Sequence, residues 1–237
     1  MAESLGARGR SAIAPQRRGF RDDDPFYVIS RRVVGSALRL VADIHVSGME
    51  HCPPSGSGGL ILACNHLSVV DIPLTGAWCP RAVIYFAKSE VRRWPVVGRV
   101  GQAYGQIFAR RGEADRQAIR EALACLAAGQ VLGIFPEGHR SRGRGLLPAQ
   151  PGIAFLAQRA GVSVWPVAVT GTDEIGKQAR PRVTVTGGLP FDPLAVAREA
   201  VGSAPSNQDI ADAIMGRVAA LLPAHMRGIY REPRSGQ

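Results

Sequence analysis

The 237-residue chain carries 29 Lys and Arg residues against 19 Asp and Glu, a formal net charge of +10, and 46% of its residues are hydrophobic. This length and composition predict one principal domain with a sizeable core. The charge favours partners that carry phosphate: a nucleic acid, an anionic lipid or a phosphorylated small molecule. Nucleic acid is the disfavoured partner, because the aromatic residues do not alternate with the basic ones as a single-strand binding surface requires.

The cysteines and the apolar runs indicate a cellular setting. Cys52, Cys64, Cys79 and Cys125 form no C-x-x-C pair and lie in apolar contexts, which disfavours a zinc site and a disulfide framework. We therefore expect no metal and a reducing cytoplasm. No apolar stretch approaches the roughly 20 residues that span a bilayer, and the N-terminus lacks the order of a signal peptide. The sequence predicts a soluble or peripheral protein.

The N-terminal part of the chain changes character near residue 26. Residues 1–25 are rich in Arg, Gly, Ser and Asp and predict a disordered tail. From residue 26 to 46, apolar residues recur at helical spacing with arginines on the opposite side, which predicts an amphipathic helix. Two interpretations stay open: the apolar face packs on the core, or it lies in a membrane interface with the arginines at the headgroups.

Strands and helices alternate through the rest of the chain. The pattern predicts strands at 60–63, 82–87, 105–111, 131–135, 164–169 and 183–186, and helices that begin near Pro73 and at 113–128, 153–160 and 207–222. This order predicts an α/β fold with a mixed, largely parallel sheet flanked by helices. We place the main domain at 47–223, followed by a polar tail at 224–237.

His66 and Asp71 lie five positions apart where the first of these strands ends. A neutral imidazole accepts a proton from an alcohol, and a carboxylate on its other nitrogen fixes the tautomer and stabilises the imidazolium. Neither a helix nor a strand lets residues five apart touch, so the pair requires a turn before the helix of Pro73. The alternative is that Asp71 caps that helix and His66 is a packed loop residue.

Polar residues also follow two other predicted strands: Arg110 and Arg111 after one, and Glu137, Gly138 and Arg140 after another. In an open α/β sheet, ligands bind where strand ends open into loops, so we expect these residues to share one cleft with His66. Guanidinium groups bind phosphate in a bidentate fork and do not titrate. Each arginine alone is also compatible with a solvated surface.

Five blocks in order over residues 60–171 resemble the glycerolipid acyltransferase family, of the lysophosphatidate acyltransferase type. The blocks are Asn65-His66 through Asp71; Lys88-Ser89-Glu90 with Pro95 and Gly98; Gly105-Gln106-Ile107-Phe108-Ala109-Arg110; Phe135-Pro136-Glu137-Gly138-His139-Arg140-Ser141; and Trp165-Pro166-Val167-Ala168-Val169. One block alone would be weak support, whereas five in order are specific.

The resemblance implies that His66 is the general base and Asp71 its orienting partner. It further implies a substrate site for the acceptor's phosphate, made of Gly105, Arg110, Glu137, Gly138 and Arg140. Because a carboxylate repels phosphate, we expect Glu137 to orient an arginine or to receive an acceptor hydroxyl.

The implied reaction moves a fatty acyl group from acyl-CoA or acyl carrier protein to the free hydroxyl of a lysophospholipid, giving phosphatidate where the acceptor is 1-acyl-glycerol-3-phosphate. It needs no metal, no cofactor and no covalent enzyme intermediate. The implied place is the cytoplasmic, inner face of an anionic membrane, to which the protein binds peripherally. Two alternatives are a non-catalytic lipid-surface binding protein of the same fold and an acyltransferase for a different acceptor lipid.

Two positions depart from the family pattern. His139 stands where the family usually has Thr or Ser, and Gln150-Pro151-Gly152 stands where a Lys often precedes the Gly. The first change bears on phosphate contact and the second on the anionic side of the cleft. Neither touches the predicted base.

Overall fold

A computed structural model describes residues 22–95, 97–109, 115–141, 143–202 and 204–231. Within these ranges the strands are β1 (Asp43–Ser47), β2 (Leu60–Cys64), β3 (Val83–Lys88), β4 (Ile107–Ala109), β5 (Val131–Ile134), β6 (Ser163–Thr170) and β7 (Arg182–Gly187). The helices are α1 (Pro25–Val41), α2 (Asp71–Trp78), α3 (Val97–Ala103), α4 (Arg116–Ala127), α5 (Gly152–Ala160), α6 (Pro193–Val201) and α7 (Asn207–Ala220).

One sheet contains all seven of these strands, in the order β1-β7-β6-β2-β5-β3-β4. Neighbouring strands are parallel except β6 and β7, which are antiparallel. Every residue of the central strand β2 is buried, as expected for a continuous apolar run with packed layers on both faces. The predicted mixed, largely parallel α/β fold is confirmed.

The sheet separates two apolar cores. One contains Ile61 and Leu132 from the sheet together with residues of α4, α5 and α7. The other contains Leu62 and Trp165 together with Leu74 of α2. The Trp165 side chain is fully buried, and its Nε1–H donates to the carbonyl oxygen of Gly188 at 2.9 Å. Both faces of the sheet are thus covered, and its strand ends are where polar side chains can meet.

The prediction of one helix over 26–46 is wrong beyond Val41. Residues Asp43–Ser47 form the edge strand β1, which pairs in parallel with β7 in a register that sets Asp43 opposite Arg182. Ile44 continues the helical spacing, and Ile44 together with Val46 fits the two-residue period of a strand. Pairing with a distant part of the chain decides between them, and it places the start of the sheet before the predicted domain boundary at 47.

Helix α1 packs through a different face from the predicted apolar one. Tyr27 and Gly35 are buried, and Gly35 lies against Ala77 and Trp78 of α2. The hydroxyl of Tyr27 donates to carbonyl oxygens at the end of α2 and just beyond it, at 3.2 Å each. The predicted apolar face remains open to solvent, with exposed fractions of 61% at Ile29, 62% at Val33 and 78% at Leu40. The helix therefore packs on the domain as one interpretation expects, but not through the exposed part of the predicted apolar face.

The inner end of each predicted tail belongs to the folded domain. The Asp24 side chain caps α1, and Asp22 accepts a hydrogen bond from the backbone N–H of Ala82 at 2.6 Å. At the other end, the Tyr230 hydroxyl donates to Asp212 at 2.7 Å and accepts from the N–H of Ala149 at 3.0 Å. Residues 22–25 and 224–231 therefore belong to the fold. The remainder of the two predicted tails, 1–21 and 232–237, lies outside the described residues.

Candidate active site

The turn between β2 and α2 brings His66 and Asp71 together, with 2.8 Å between Nδ1 of His66 and Oδ2 of Asp71. Oδ2 also accepts the backbone N–H groups of Leu67 and Ser68, at 2.7 and 2.8 Å. The carboxylate therefore folds back over the turn that precedes its own helix. The N-cap residue of α2 is Val70, whose side chain makes no capping hydrogen bond. The alternative that Asp71 only caps this helix is wrong.

This geometry sets the state of the imidazole. A carboxylate only accepts hydrogen bonds, so Nδ1 of His66 carries the proton that it shares with Asp71. Nε2 is then the nitrogen with a free lone pair, and it makes no hydrogen bond to any described residue. The His66 side chain is 17% exposed, whereas that of Asp71 is fully buried. The Asp71 carboxylate is thus shielded from solvent, whereas the His66 imidazole is partly exposed to it.

The His66 ring rests on an aromatic support. It stacks on Phe135, the residue after β5, with 4.1 Å between ring centroids and 21° between the ring planes. Phe135 stacks in turn on Tyr85 of β3 at 5.8 Å. The Tyr85 hydroxyl bonds to the hydroxyl of Thr75 on α2 at 2.6 Å. Two strands and the helix of Asp71 thus fix the plane of the imidazole.

Asn65 fixes the residue before the base. Its side chain is buried, its Nδ2 donates to the carbonyl oxygen of Val169 at 2.9 Å, and its Oδ1 accepts the N–H of Val169 at 2.8 Å. The amide acts as one further rung between β2 and β6. Sequence reasoning assigned Asn65 no role, although its place directly before His66 in the first block was a usable signal.

The structure shows which groups the Glu137 carboxylate contacts. Its side chain is 2% exposed, Oε1 accepts the backbone N–H of His66 at 2.8 Å, and Oε2 accepts the N–H of Leu147 at 2.9 Å. Both oxygens are thus occupied by backbone amides. No arginine among the described residues contacts this carboxylate, and its place in the acceptor-phosphate site stays a prediction. Glu137 ties the loop after β5 to the catalytic turn.

Glu137 gives the fold a measurable pH dependence. Burial raises the pKa of Glu137 from its ordinary 4.5 to about 7. The hydrogen bonds from the N–H groups of Leu147 and His66 lower this pKa, but by less than burial raises it. Since the folded pKa exceeds the unfolded one, the stabilisation is complete below about pH 4.5 and is lost as the pH rises through about 7. Relative to Glu137→Gln, wild-type unfolding free energy should fall by about 2 kcal/mol between pH 5 and pH 7.5.

Urea unfolding of the two proteins at both pH values measures this difference. Glu50→Gln, a change at an exposed glutamate, is the control and should keep the wild-type slope. Parallel pH curves for wild type and Glu137→Gln would contradict the buried position of this carboxyl.

Gly138 and Arg140 lie in the loop after β5, whereas Gly105 lies in a separate turn after α3. Gly138 has φ +69° and lets the loop after β5 turn sharply. Arg140 follows in this loop and is exposed. The next residue, Ser141, donates its N–H to the carbonyl oxygen of His66 at 2.8 Å. Gly105 has φ +67° in the turn that ends α3, two residues before β4. The substrate contacts assigned to Gly105, Gly138 and Arg140 stay predictions.

Arg110, Arg111 and Arg142 lie outside the described residues, so their predicted places are untested. His139 and Gln150, the two departures from the family pattern, are both exposed.

Sequence reasoning missed Thr172 completely. Its side chain is 1% exposed, and its hydroxyl donates a hydrogen bond to Oδ1 of Asp71. Thr172 follows β6 and opens a short 3-10 turn, outside all five sequence blocks. No local pattern pointed to it, because only the neighbouring position of β6 and β2 in the sheet brings it to Asp71.

Two features are absent from the described part of the chain. Nowhere in it do three or more His, Cys, Asp or Glu side chains come together in an arrangement suited to a metal ion. None of its helices is both long and apolar enough to cross a membrane.

Fold and site together define an α/β protein with a histidine–aspartate pair at the carboxyl ends of parallel strands. Residues 43–170, more than half of the chain, match the family model described as Acyltransferase, and the chain belongs to this acyltransferase family.

The chain is similar to lipid acyltransferases in particular. It is 37% identical over 129 residues to the lyso-ornithine lipid O-acyltransferase of Pseudomonas aeruginosa, covering 54% of this chain and 47% of that protein. It is 39% identical over 131 residues to the 1-acyl-sn-glycerol-3-phosphate acyltransferase of Neisseria meningitidis, covering 54% and 51%. The matches thus span about half the length of these curated relatives.

Among solved structures, the crystal structure of the 1-acyl-sn-glycerophosphate (LPA) acyltransferase PlsC from Thermotoga maritima has a similar fold. The TM-score is 0.67 at 26% sequence identity, and the match covers 82% of this chain and 78% of that one. The predicted resemblance to the glycerolipid acyltransferase family is confirmed.

Proposed function

We propose that the protein is an O-acyltransferase that moves a fatty acyl group from a thioester to the free hydroxyl of a lysophospholipid. One observation carries the proposal: Nδ1 of His66 is bound to a fully buried Asp71, while the His66 side chain is 17% exposed and its Nε2 makes no hydrogen bond to a described residue. This arrangement suits removal of a proton from an alcohol. The names of the similar proteins, which act on acyl-glycerol phosphate and on lyso-ornithine lipid, support a lipid acceptor.

In the proposed mechanism, Nε2 of His66 takes the hydroxyl proton as the acceptor oxygen attacks the thioester carbonyl carbon. The tetrahedral intermediate then collapses, the carbon–sulfur bond breaks, and the imidazolium returns its proton to the departing sulfur. Asp71 stabilises the imidazolium during both steps without taking the proton itself. The products are an ester and a free thiol, so atoms and charge balance without a metal, a cofactor or an external oxidant.

The proposal contains no acyl-enzyme intermediate. Cys64, the nearest cysteine in sequence to His66, is fully buried, and burial raises the pKa of its thiol well above the ordinary value. A buried neutral thiol is a poor nucleophile. The backbone N–H of Ser68 donates to Asp71, and the Ser68 hydroxyl oxygen accepts the N–H of Val70 at 3.4 Å. Direct transfer to the acceptor is therefore the favoured route.

The acceptor that we propose first is 1-acyl-glycerol-3-phosphate, with phosphatidate as the product. The exposed Arg140 lies beside the catalytic turn and provides a guanidinium group suited to a phosphate, and we propose the same use for Arg110, which lies outside the described residues. A second acceptor, lyso-ornithine lipid, is favoured by the 37% identity to the Pseudomonas aeruginosa protein. The proposed donor is acyl-CoA or acyl carrier protein.

The same proposal places the protein peripherally on an anionic membrane, on its cytoplasmic face. The support is the open apolar face of α1, where Ile29, Val33 and Leu40 are each more than 60% exposed. Arg32 is exposed on the same helix, where it can meet acidic headgroups. Helix α1 lies against α2, the helix that begins at Asp71, so membrane contact would hold the catalytic turn near its lipid substrates.

The test is thioester consumption that depends on a lysolipid. Purified protein is mixed with acyl-CoA or acyl carrier protein thioester, and thiol release is followed with lysophosphatidate, with lyso-ornithine lipid and with no acceptor. Acceptor-dependent thiol release and an acylated lipid product are expected. Lipid binding without thiol release for every donor and acceptor would overturn the proposal in favour of a non-catalytic lipid-binding protein.

A further inference from the structure

Thr172 contacts the catalytic pair although it belongs to none of the sequence blocks. Oδ2 of Asp71 accepts three hydrogen bonds, from Nδ1 of His66 and from the N–H groups of Leu67 and Ser68. Oδ1 accepts from the hydroxyl of Thr172. Among the described residues, no other group donates to Oδ1. Oδ1 of this fully buried carboxylate thus has one described hydrogen-bond donor, the Thr172 hydroxyl.

The backbone holds this hydroxyl in place. The side chain of Asn65 bonds both the N–H and the carbonyl of Val169, so the end of β6 is fixed relative to the turn that carries His66. Gly171 then adopts φ +74°, and a Cβ atom there would lie 2.1 Å from the carbonyl oxygen of Arg182. The chain therefore turns sharply after β6 and delivers Thr172 to Asp71.

We propose that Thr172 is a positioning residue for acyl transfer: it holds the Asp71 carboxylate charged and oriented so that Oδ2 faces Nδ1 of His66. This inference rests on the proposed function. Thr172 acts through Asp71, and its side chain is too deeply buried to take part in substrate binding.

The physical reason is the cost of an unpaired buried acceptor. An ionised carboxylate has about four acceptor sites on its two oxygens, and burial removes water as an alternative donor. Without the hydroxyl, Oδ1 would carry negative charge with no partner. The carboxylate would then draw the shared proton more strongly, and the His66–Asp71 pair would bind its proton more tightly.

Thr172→Val tests this because it removes the hydroxyl and keeps the branched shape. We expect kcat to fall by about 10- to 100-fold, the loss typical of one hydrogen bond to a charged group. KM for acceptor and thioester should stay within about threefold, and the acidic limb of the pH profile should move to higher pH. Thr172→Ser retains the hydroxyl and should keep kcat within about threefold of wild type.

A matched control removes a similar hydroxyl elsewhere. Thr184 of β7 shares a hydroxyl–hydroxyl bond of 2.7 Å with Thr170 and is partly buried. Thr184→Val should leave both kcat and the acidic limb unchanged. A variant that only loosened the fold would lower activity without moving this limb.

NMR titration of the His66 ring gives a readout that does not need turnover. The pH at which the ring takes up its proton should be higher in Thr172→Val than in wild type or Thr184→Val. Equal titrations in all three proteins, or a valine variant that raises KM alone, would overturn the role of Thr172. If wild type released no thiol while the titration still moved, the proposed function would fail and the positioning contact would stand.

Discussion

Asp71→Asn is expected to lower kcat by about 10³- to 10⁴-fold while the protein stays folded. The loss follows from the charge, because a neutral amide cannot stabilise the imidazolium that forms when His66 takes the acceptor's proton. The measurement is thiol release at saturating acceptor and thioester, with the melting temperature of the same preparation.

The hydrogen bonds around Asp71 explain why asparagine should fold. The N–H groups of Leu67 and Ser68 require an acceptor at the position of Oδ2, so they select the amide oxygen for that place. The amide NH₂ then replaces Oδ1, and the hydroxyl of Thr172 can turn to accept from it. We expect a stability loss of about 1 kcal/mol, which lowers Tm by about 2–4 °C.

Two further variants separate charge from structure. Asp71→Ala leaves two N–H groups unpaired in the turn and should cost at least about 3 kcal/mol of stability. Asp115→Asn makes the same chemical change at the cap of α4, where the carboxylate accepts the N–H groups of Gln117 and Ala118. It should leave kcat within about twofold. An Asp71→Asn protein with near-normal kcat would contradict the base-orienting role.

Sequence reasoning predicted the inner strands of the sheet because they are continuous apolar runs. The segment Leu60–Cys64 is a buried strand of five residues, and such runs identify the interior of a parallel sheet without help from the rest of the chain. β1 could not be predicted in the same way. Ile44 fits the helical face and a strand equally well, and only the pairing with β7 selects the strand.

The site shows the same division between local and distant determinants. The turn between His66 and Asp71 was predictable, since the strand before it and the helix after it leave no other way for the two side chains to meet. The destination of the Glu137 carboxylate depends on Leu147 and on the backbone of His66, which no spacing rule relates to it. Thr172 reaches Asp71 through the order of strands in the sheet, which a motif does not encode.

The open face of α1 leads to the second large expected effect, on membrane binding. The triple variant Ile29→Glu, Val33→Glu, Leu40→Glu replaces three side chains that are 61%, 62% and 78% exposed and therefore contribute little to the packing of the fold. Each apolar side chain is expected to contribute about 1 kcal/mol or more when it enters the lipid interface. Binding to anionic liposomes should thus fall by at least about 100-fold.

Repulsion from anionic headgroups adds to this loss, so a control must carry the same charge. Gln117→Glu, Ala124→Glu and Ala200→Glu introduce three negative charges at exposed positions of α4 and α6. This control should bind liposomes far better than the α1 variant, because it keeps the apolar face. Thiol release with a water-soluble, short-chain acceptor should be similar in both proteins and in wild type, since the face lies outside the His66–Asp71 pair. If the α1 variant and the control sedimented equally with liposomes, charge alone would explain the binding, and the apolar face of α1 would not be the membrane-contacting surface.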